Sequence, residues 1–206
     1  NLIKTRDPRF EATFWNTPRS QSATLLYACK FIDRAGATIG ATPGAVIPPK
    51  YGSNTNNNGY PVMRYAEVLL NWIEAKAEVA TLGGAAVVQA DIDKSINVIR
   101  NRPLDSEAVA RGVKRTAAMS LATLPTDPTR DADVPALIWE IRRERRMEFV
   151  FEHSRLLDIK RWKKLNYMDG ATNPDILLGI WVNFPRELPS FLVASKVNKL
   201  KVRKIG

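Results

Sequence analysis

Between positions 61 and 82, polar and apolar residues recur at helical spacing. Arg64, Glu67, Asn71, Glu74 and Glu78 form a polar stripe at steps of three and four, and Tyr65, Leu69, Trp72, Ile73, Val79 and Leu82 take the rest of the surface. This pattern predicts an amphipathic helix from about Pro61 to Leu82. Pro61 suits its first turn, where a missing N–H costs nothing, and Gly83-Gly84 supplies the left-handed residue that ends it. Val88, Ile92, Ile96 and Ile99 then mark a second helix, closed by Pro103, which pushes Arg102 out of the helical region. The short glycine turn between the two predicts an antiparallel hairpin. A third helix is predicted from Pro135 to about Glu152, with Asp133 as N-cap and Leu137, Ile138, Ile141, Phe149 and Val150 available for burial. A fourth, Arg155 to Lys164, places Leu156, Ile159 and Trp162 on one side.

The rest of the chain lacks such periodicity. Residues 1–60 are punctuated by Gly and Pro and contain the polar tract Ser53-Asn54-Thr55-Asn56-Asn57-Asn58-Gly59. A short strand is expected around Ala23–Phe31. Residues 103–133 form a long polar connection with a little helix near Arg115–Thr123, and connections of that length are usually functional or flexible. The tail Lys199-Leu200-Lys201-Val202-Arg203 alternates with period two, as an edge strand does. The fold class expected is mostly α: helical hairpins in a core of about 61–164, with long irregular loops, little β, and one region spanning 1–206.

Composition narrows the chemistry. The hydrophobic and charged fractions, 45% and 25%, are ordinary for a folded globular chain. One cysteine, Cys29 in an apolar run, excludes an intramolecular disulfide framework and reads as a buried, inert thiol; one histidine, His153, excludes a His-rich metal site. No apolar run reaches the length of a membrane-spanning helix. The first residue is Asn1, with neither an initiator Met nor a signal peptide, so the chain is expected to start inside something longer or after a cleavage.

The formal charge is +10. Residues 1–100 carry 11 basic and 8 acidic side chains, and residues 101–206 carry 20 and 13, so the excess lies in the second half. Such a balance permits contacts with nucleic acid or anionic ligands without specifying either. Within Arg142-Arg143-Glu144-Arg145-Arg146, Glu140/Arg143 and Arg145/Glu148 stand at i, i+3, which favours an ion-pair network over a phosphate-binding helix. Glu67 and Glu74 on one helical face have no His partners, and no Ser-His-Asp or Cys-His arrangement is evident.

Several segments together carry a resemblance. Asn58-Gly59-Tyr60-Pro61-Val62-Met63-Arg64-Tyr65-Ala66-Glu67-Val68-Leu69-Leu70-Asn71, followed by Glu74-Ala75, is one. Ile96-Asn97 with Ile99-Arg100 and Arg102 is a second. Ile141-Arg142, Glu144-Arg145-Arg146, Glu148-Phe149 and Phe151-Glu152 lead into the next, Arg155-Leu156, Asp158 and Arg161-Trp162. Asp7-Pro8-Arg9 precedes them all. In this order the blocks closely resemble the SusD/RagB family. His153 stands where that family usually has Gly, Pro103 where Ala is usual, and the family's closing segment is absent. Family members are more than twice this length, so the resemblance implies a C-terminal part truncated at both ends.

The resemblance implies a TPR-like α-α superhelix that binds oligosaccharide or polysaccharide without cleaving it, with no catalytic residue, cofactor or metal. It implies a surface-exposed outer-membrane lipoprotein whose N-terminal lipid anchor lies outside this chain. The implied protein partner is a SusC-like TonB-dependent transporter, and no nucleic acid is implied. The family's charges Arg64, Glu67, Arg100, Arg145, Glu148, Arg155, Asp158 and Arg161 are read as structural ion-pairing residues. Sugar rings stack on aromatic faces. Trp15, Tyr51 and Tyr60 lie in Gly/Pro/Asn-rich loops and are the candidate ligand-binding residues, whereas Trp72, Trp139 and Trp162 lie on helices and read as core. The family's best-known glycan contacts come largely from its N-terminal part. Helical hairpins alone also suit a protein–protein adaptor, and the charge suits a basic nucleic-acid-binding module.

Overall fold

The computed structural model describes residues 7–15, 28–40, 42–52, 54–110, 112–171 and 173, and about half of these are helical. The fold is mostly α, as the periodicity predicts. Among the described residues the only β pairing is an isolated antiparallel bridge between Phe14 and Ala28. The expected strand around Ala23–Phe31 is otherwise not formed over 28–31, and its first residues, like the tail at 199–203, lie outside the described residues. The chain divides into two compact units. One holds residues 7–15 and 28–151; the other holds residues 152–173 of the described chain.

In the larger unit the elements are α1 (Pro8–Thr13), α2 (Arg34–Gly40), α3 (Tyr65–Thr81), α4 (Gln89–Lys94), α5 (Ile96–Arg100), α6 (Ser106–Ala110) and α7 (Ala136–Glu148). Its core joins Leu69, Leu70, Ile73 and Ala77 of α3 to Ile92, Ile96 and Ile99 of α4 and α5, and to Ile138, Ile141 and Phe149 at α7. α3 ends as the sequence predicts. Gly83 takes φ +89°, Gly84 N–H donates to Val79 O and Gly83 N–H to Ala80 O, which satisfies carbonyls the last turn leaves open.

Other boundaries differ from the sequence reading. α3 begins at Tyr65, four residues after Pro61. Arg64 is its N-cap residue in extended backbone, and its guanidinium turns away to Glu148. The second helix breaks at Ser95, whose hydroxyl donates to Asp91 O at 2.7 Å; that back-bond competes with the helical ladder. Arg115–Ser120 is not helical. Asn97 holds it alongside α5 instead, accepting from Met119 N–H at 2.7 Å and donating to Met119 O at 3.1 Å. The helical turns of that connection are α6 and a 3₁₀ turn at Leu121–Thr123. Pro135, not Asp133, is the N-cap of α7, and the helix stops at Glu148.

The burial of α3 is the largest correction. Tyr65, Trp72, Val79 and Leu82 are exposed, Leu82 at 86%, while Glu74 of the polar stripe is buried. The helix is apolar on two sides. α7, α4 and α5 cover the side centred on Leu70 and Ile73, and Arg145 of α7 reaches across to Asn71 at 2.6 Å and Glu74 at 3.4 Å. Asp91 likewise faces inward, bonded to Lys76 of α3 at 2.6 Å and to the N–H of Val88. Trp139 is half-buried against the core and donates to Asp127. Bonds from Thr129, Trp139 and the Thr129 N–H hold the Asp127 carboxyl down to about 2.

In the smaller unit α8 (Ser154–Arg161) is followed by a 3₁₀ turn at Leu165–Met168. Ile159 and Trp162 are buried, whereas Leu156, expected beside them, is half exposed. Arg161 bonds to Asp158 at 2.9 Å, and the Arg155 and Arg161 guanidiniums lie 5.6 and 5.0 Å from the Trp162 ring. Both contacts are of the cation–π kind.

One buried charge predicts a pH effect. Glu140 of α7 is 1% exposed, and neither carboxylate oxygen has a hydrogen-bond partner; Arg143 stands 3.4 Å away. Burial pushes its carboxyl above the ordinary value, against the pull of Arg143. A carboxyl raised on folding costs stability as pH climbs past its unfolded value of about 4.3 and through its folded one. Glu140→Gln is therefore expected to match the native chain below about pH 4 and to exceed it in urea resistance at pH 7. A glutamine variant that is no more stable at pH 7 would contradict this.

Candidate functional site

Three irregular segments of the larger unit, each following or preceding a helix, are laced together through backbone carbonyls. Lys30 Nζ donates to Glu148 O at 2.7 Å and Val150 O at 2.9 Å. Asn58 donates from Nδ2 to Phe31 O at 2.8 Å, and the Tyr60 hydroxyl donates to Phe151 O at 3.0 Å. The positive φ of Phe31 (63°) and Phe151 (61°) is uncommon for a bulky side chain, and holding each there costs on the order of 1–3 kcal/mol. Those cross-links oppose that cost.

The result is an aromatic rim. Tyr60 and Phe151 are 55% and 61% exposed, and the Phe31 and Tyr60 rings meet edge to face at 5.6 Å. Phe14 backs Phe151 at 5.6 Å, and Phe10 backs Phe14 at 4.8 Å. The Arg64 guanidinium sits 5.4 Å from the Phe31 ring and 5.5 Å from that of Phe149.

Phe31 also lines a cleft of about 480 Å³, whose walls carry the cations Arg9, Lys30, Arg34, Arg64, Arg100 and Arg102. Its polar floor is an ionic lattice centred on two buried carboxylates of α7. Glu144 accepts from Arg9 at 2.6 Å and Arg100 at 2.7 Å; Glu148 accepts from Arg64 at 2.9 Å and Arg102 at 2.5 Å. Asp7 caps α1 through the Arg9 N–H and holds the Arg9 guanidinium at 2.6 Å. Burial raises the Asp7 carboxyl and the Arg9 bonds lower it further, leaving it below its ordinary value. Cys29, also on the cleft, is buried, and burial pushes its thiol up, which keeps it protonated and unreactive.

The three loop aromatics singled out by the sequence all reach the segment 31–36. Tyr60 meets Phe31 as above. Tyr51 donates to Asp33 at 3.0 Å, and its ring lies so close to Gly36 that a Cβ there would stand 2.6 Å from Cδ1. Trp15 faces the Arg34 guanidinium at 5.8 Å. Of the charges named from the resemblance, Arg64, Arg100 and Glu148 belong to the lattice and Arg145 bridges α7 to α3. Glu67 is a half-buried first-turn residue of α3, and Arg155, Asp158 and Arg161 lie in the smaller unit. The sequence reading did not single out Phe31, Phe151, Arg34 and Arg102 as site residues. Local periodicity does not mark the left-handed backbone of Phe31 and Phe151, nor which arginines keep spare donors once the fold is formed.

A sequence profile of the SusD family matches residues 16–179 of the chain. The chain belongs to that family. Comparison with curated proteins and with solved structures gave no match. The SusD family is one of glycan-binding nutrient-uptake proteins, typically non-catalytic and generally placed at the outer-membrane surface. Among the described residues of this SusD-family chain, no helix is long and apolar enough to cross a membrane.

Proposed function

We propose that this chain takes part in capturing oligosaccharide at the bacterial outer-membrane surface, without bond cleavage, for uptake through a SusC-like TonB-dependent transporter. The observation that carries the reading is the exposed rim of Tyr60 and Phe151 beside a polar cleft, in a chain of the SusD family. Aromatic faces take the C–H side of a sugar ring, while guanidinium and carboxylate groups take its hydroxyls. Tyr51 and Trp15, set around the same 31–36 segment, extend the candidate surface.

In this reading the protein is a surface lipoprotein held by a lipid upstream of the chain. The exposed apolar stripe Tyr65, Val68, Trp72, Val79 and Leu82 of α3 supports a protein-facing side, consistent with a transporter partner.

The test is glycan retention by affinity electrophoresis, comparing the native chain with Tyr60→Ala and Phe151→Ala. Each substitution is expected to weaken retention about tenfold, the equivalent of ~1.4 kcal/mol. Tyr60→Ala also removes the bond to Phe151 O, and Phe151→Ala the ring contact with Phe14, so retention is compared after thermal melts, with Tyr60→Phe as the control that keeps the ring and loses only that bond. Unchanged retention by both variants would overturn the assignment of the rim.

A further inference from the structure

The cleft's cations are not equally committed. Arg9 gives its Nε and both terminal nitrogens to Asp7 and Glu144, and Arg100 gives its three to Glu144 and the carbonyl of Ala117. Arg102 makes three bonds as well, one N–H each from Nε, Nη1 and Nη2 to Ile99 O and Glu148, but its side chain is 44% exposed where that of Arg100 is 7%. A guanidinium carries five N–H groups, so two donors of Arg102 remain within reach of solvent. Arg34 is less committed still. Its one hydrogen bond among the described residues goes from Nη2 to Glu11 O, and four donors remain beside the Trp15 ring.

Charge points the same way. Six cationic side chains line the cleft against four carboxylates, Asp7, Glu11, Asp105 and Glu148, and Glu144 lies behind them as a fifth. The cleft therefore keeps a cationic excess, and Arg34 and Arg102 join a place on its wall to spare donors that are not sealed in the ionic lattice. Guanidinium N–H groups in a fork fit the paired oxygens of a carboxylate or sulfate better than the single oxygen of a hydroxyl. The Phe31 ring and the Ile32 side chain supply an apolar wall of the same cleft.

We infer that Arg34 and Arg102 form an anion subsite, and that the glycan this chain prefers is acidic, carrying a carboxylate or sulfate group on the sugar. The inference rests on the glycan-binding reading and makes it specific. A neutral sugar would offer the cleft only single hydroxyl oxygens, while an acidic one would also place a paired-oxygen anion against the guanidiniums of Arg34 and Arg102.

The test is calorimetric titration of the full chain with a uronic-acid oligosaccharide, a sulfated oligosaccharide, a neutral oligosaccharide and inorganic sulfate, at low and at raised salt. The acidic sugars are expected to bind at least tenfold more tightly than the neutral one, with the advantage shrinking in salt. The stronger of the two names the anion. Arg34→Gln is expected to remove most of that advantage while weakening neutral-sugar binding far less, because a glutamine amide can still donate to a hydroxyl but carries no charge for the anion. It is the primary variant because Arg34 holds a single carbonyl; Arg102→Gln, which also loosens Glu148, is scored only if its thermal melt matches the native chain. Equal affinity for acidic and neutral sugars, or an advantage that survives Arg34→Gln, would overturn the anion subsite and leave the glycan reading standing. Binding of inorganic sulfate with no sugar bound would do the reverse, and no binding of any ligand would overturn both.

Discussion

Replacing Glu148 with alanine is expected to destabilise the larger unit by about 3–5 kcal/mol, the cost of removing one partner from a buried ion pair. The side chain is 2% exposed and neutralises Arg64 at 2.9 Å and Arg102 at 2.5 Å, with Arg9 3.9 Å away. Arg102 is exposed enough to return to water, so most of the penalty falls on Arg64 and Arg9, whose side chains are 18% and 12% exposed. Glu148 is also the last residue of α7, and its backbone carbonyl receives both Lys30 and Arg64, so a shift of the helix end would reach the aromatic rim as well as the core. Urea unfolding monitored by far-ultraviolet circular dichroism reads the change. A loss below about 1 kcal/mol, the scale of an exposed pair, would mean that the lattice is solvated rather than buried.

A comparable loss is expected from Ile73→Ala. Ile73 is fully buried at the centre of the α3 face covered by α7, and truncating an isoleucine to alanine in such a place costs about 2–5 kcal/mol, depending on how far the site collapses. Val79→Ala, on the same helix, is the internal control. Its side chain is 54% exposed, and its effect is expected within about 0.5 kcal/mol. The pair decides which face of α3 is the core. Equal losses at the two positions would contradict the burial described above.

That comparison also marks what the sequence made legible and what it did not. Helical spacing located the main body of every long helix, because burial of one face imposes the 3.6-residue period whatever it is buried against. It did not say which face. α3 carries apolar residues on two sides, and only the packing of α7 and α5 determines that Ile73 goes in and Trp72 stays out. Glu74 reads as a surface residue until Arg145 arrives from a helix seventy residues away. Ends were less legible than middles where side chains were diverted. Arg64 and Ser95 each formed an interaction that competes with the regular helix, one with Glu148 and one with a carbonyl of its own turn.

The candidate site shows the same division. Tyr60 stood out as a loop aromatic, and the structure adds what it touches. Phe151 falls inside the helix expected to run to about Glu152, and the pattern marks it neither for burial nor for the site; α7 stops at Glu148, and Phe151 takes a left-handed backbone with its ring exposed. The Arg and Glu residues of α7 were visible as a charge run that favoured ion pairing. Their partners, Arg9, Arg64, Arg100 and Arg102, come from three segments far apart in sequence, and converge only in the fold.

A physical picture connects these parts. Two buried glutamates on α7 gather arginines from α1 and from the ends of α3 and α5, and the lattice meets the rim where Arg64 faces the Phe31 ring and where Lys30 bonds the carbonyl of Glu148. Stability and recognition therefore share residues, and weakening Glu148 is expected to affect both.

A glycan is expected to bind this chain and to be released uncleaved. An oligosaccharide series of increasing length is titrated into the protein, and the sugar is then recovered and chromatographed. Saturable binding with a negative heat-capacity change is expected from burial of sugar faces on the rim, together with recovery of every oligosaccharide at its starting length. No heat with any glycan, or shortened products after incubation, would contradict it.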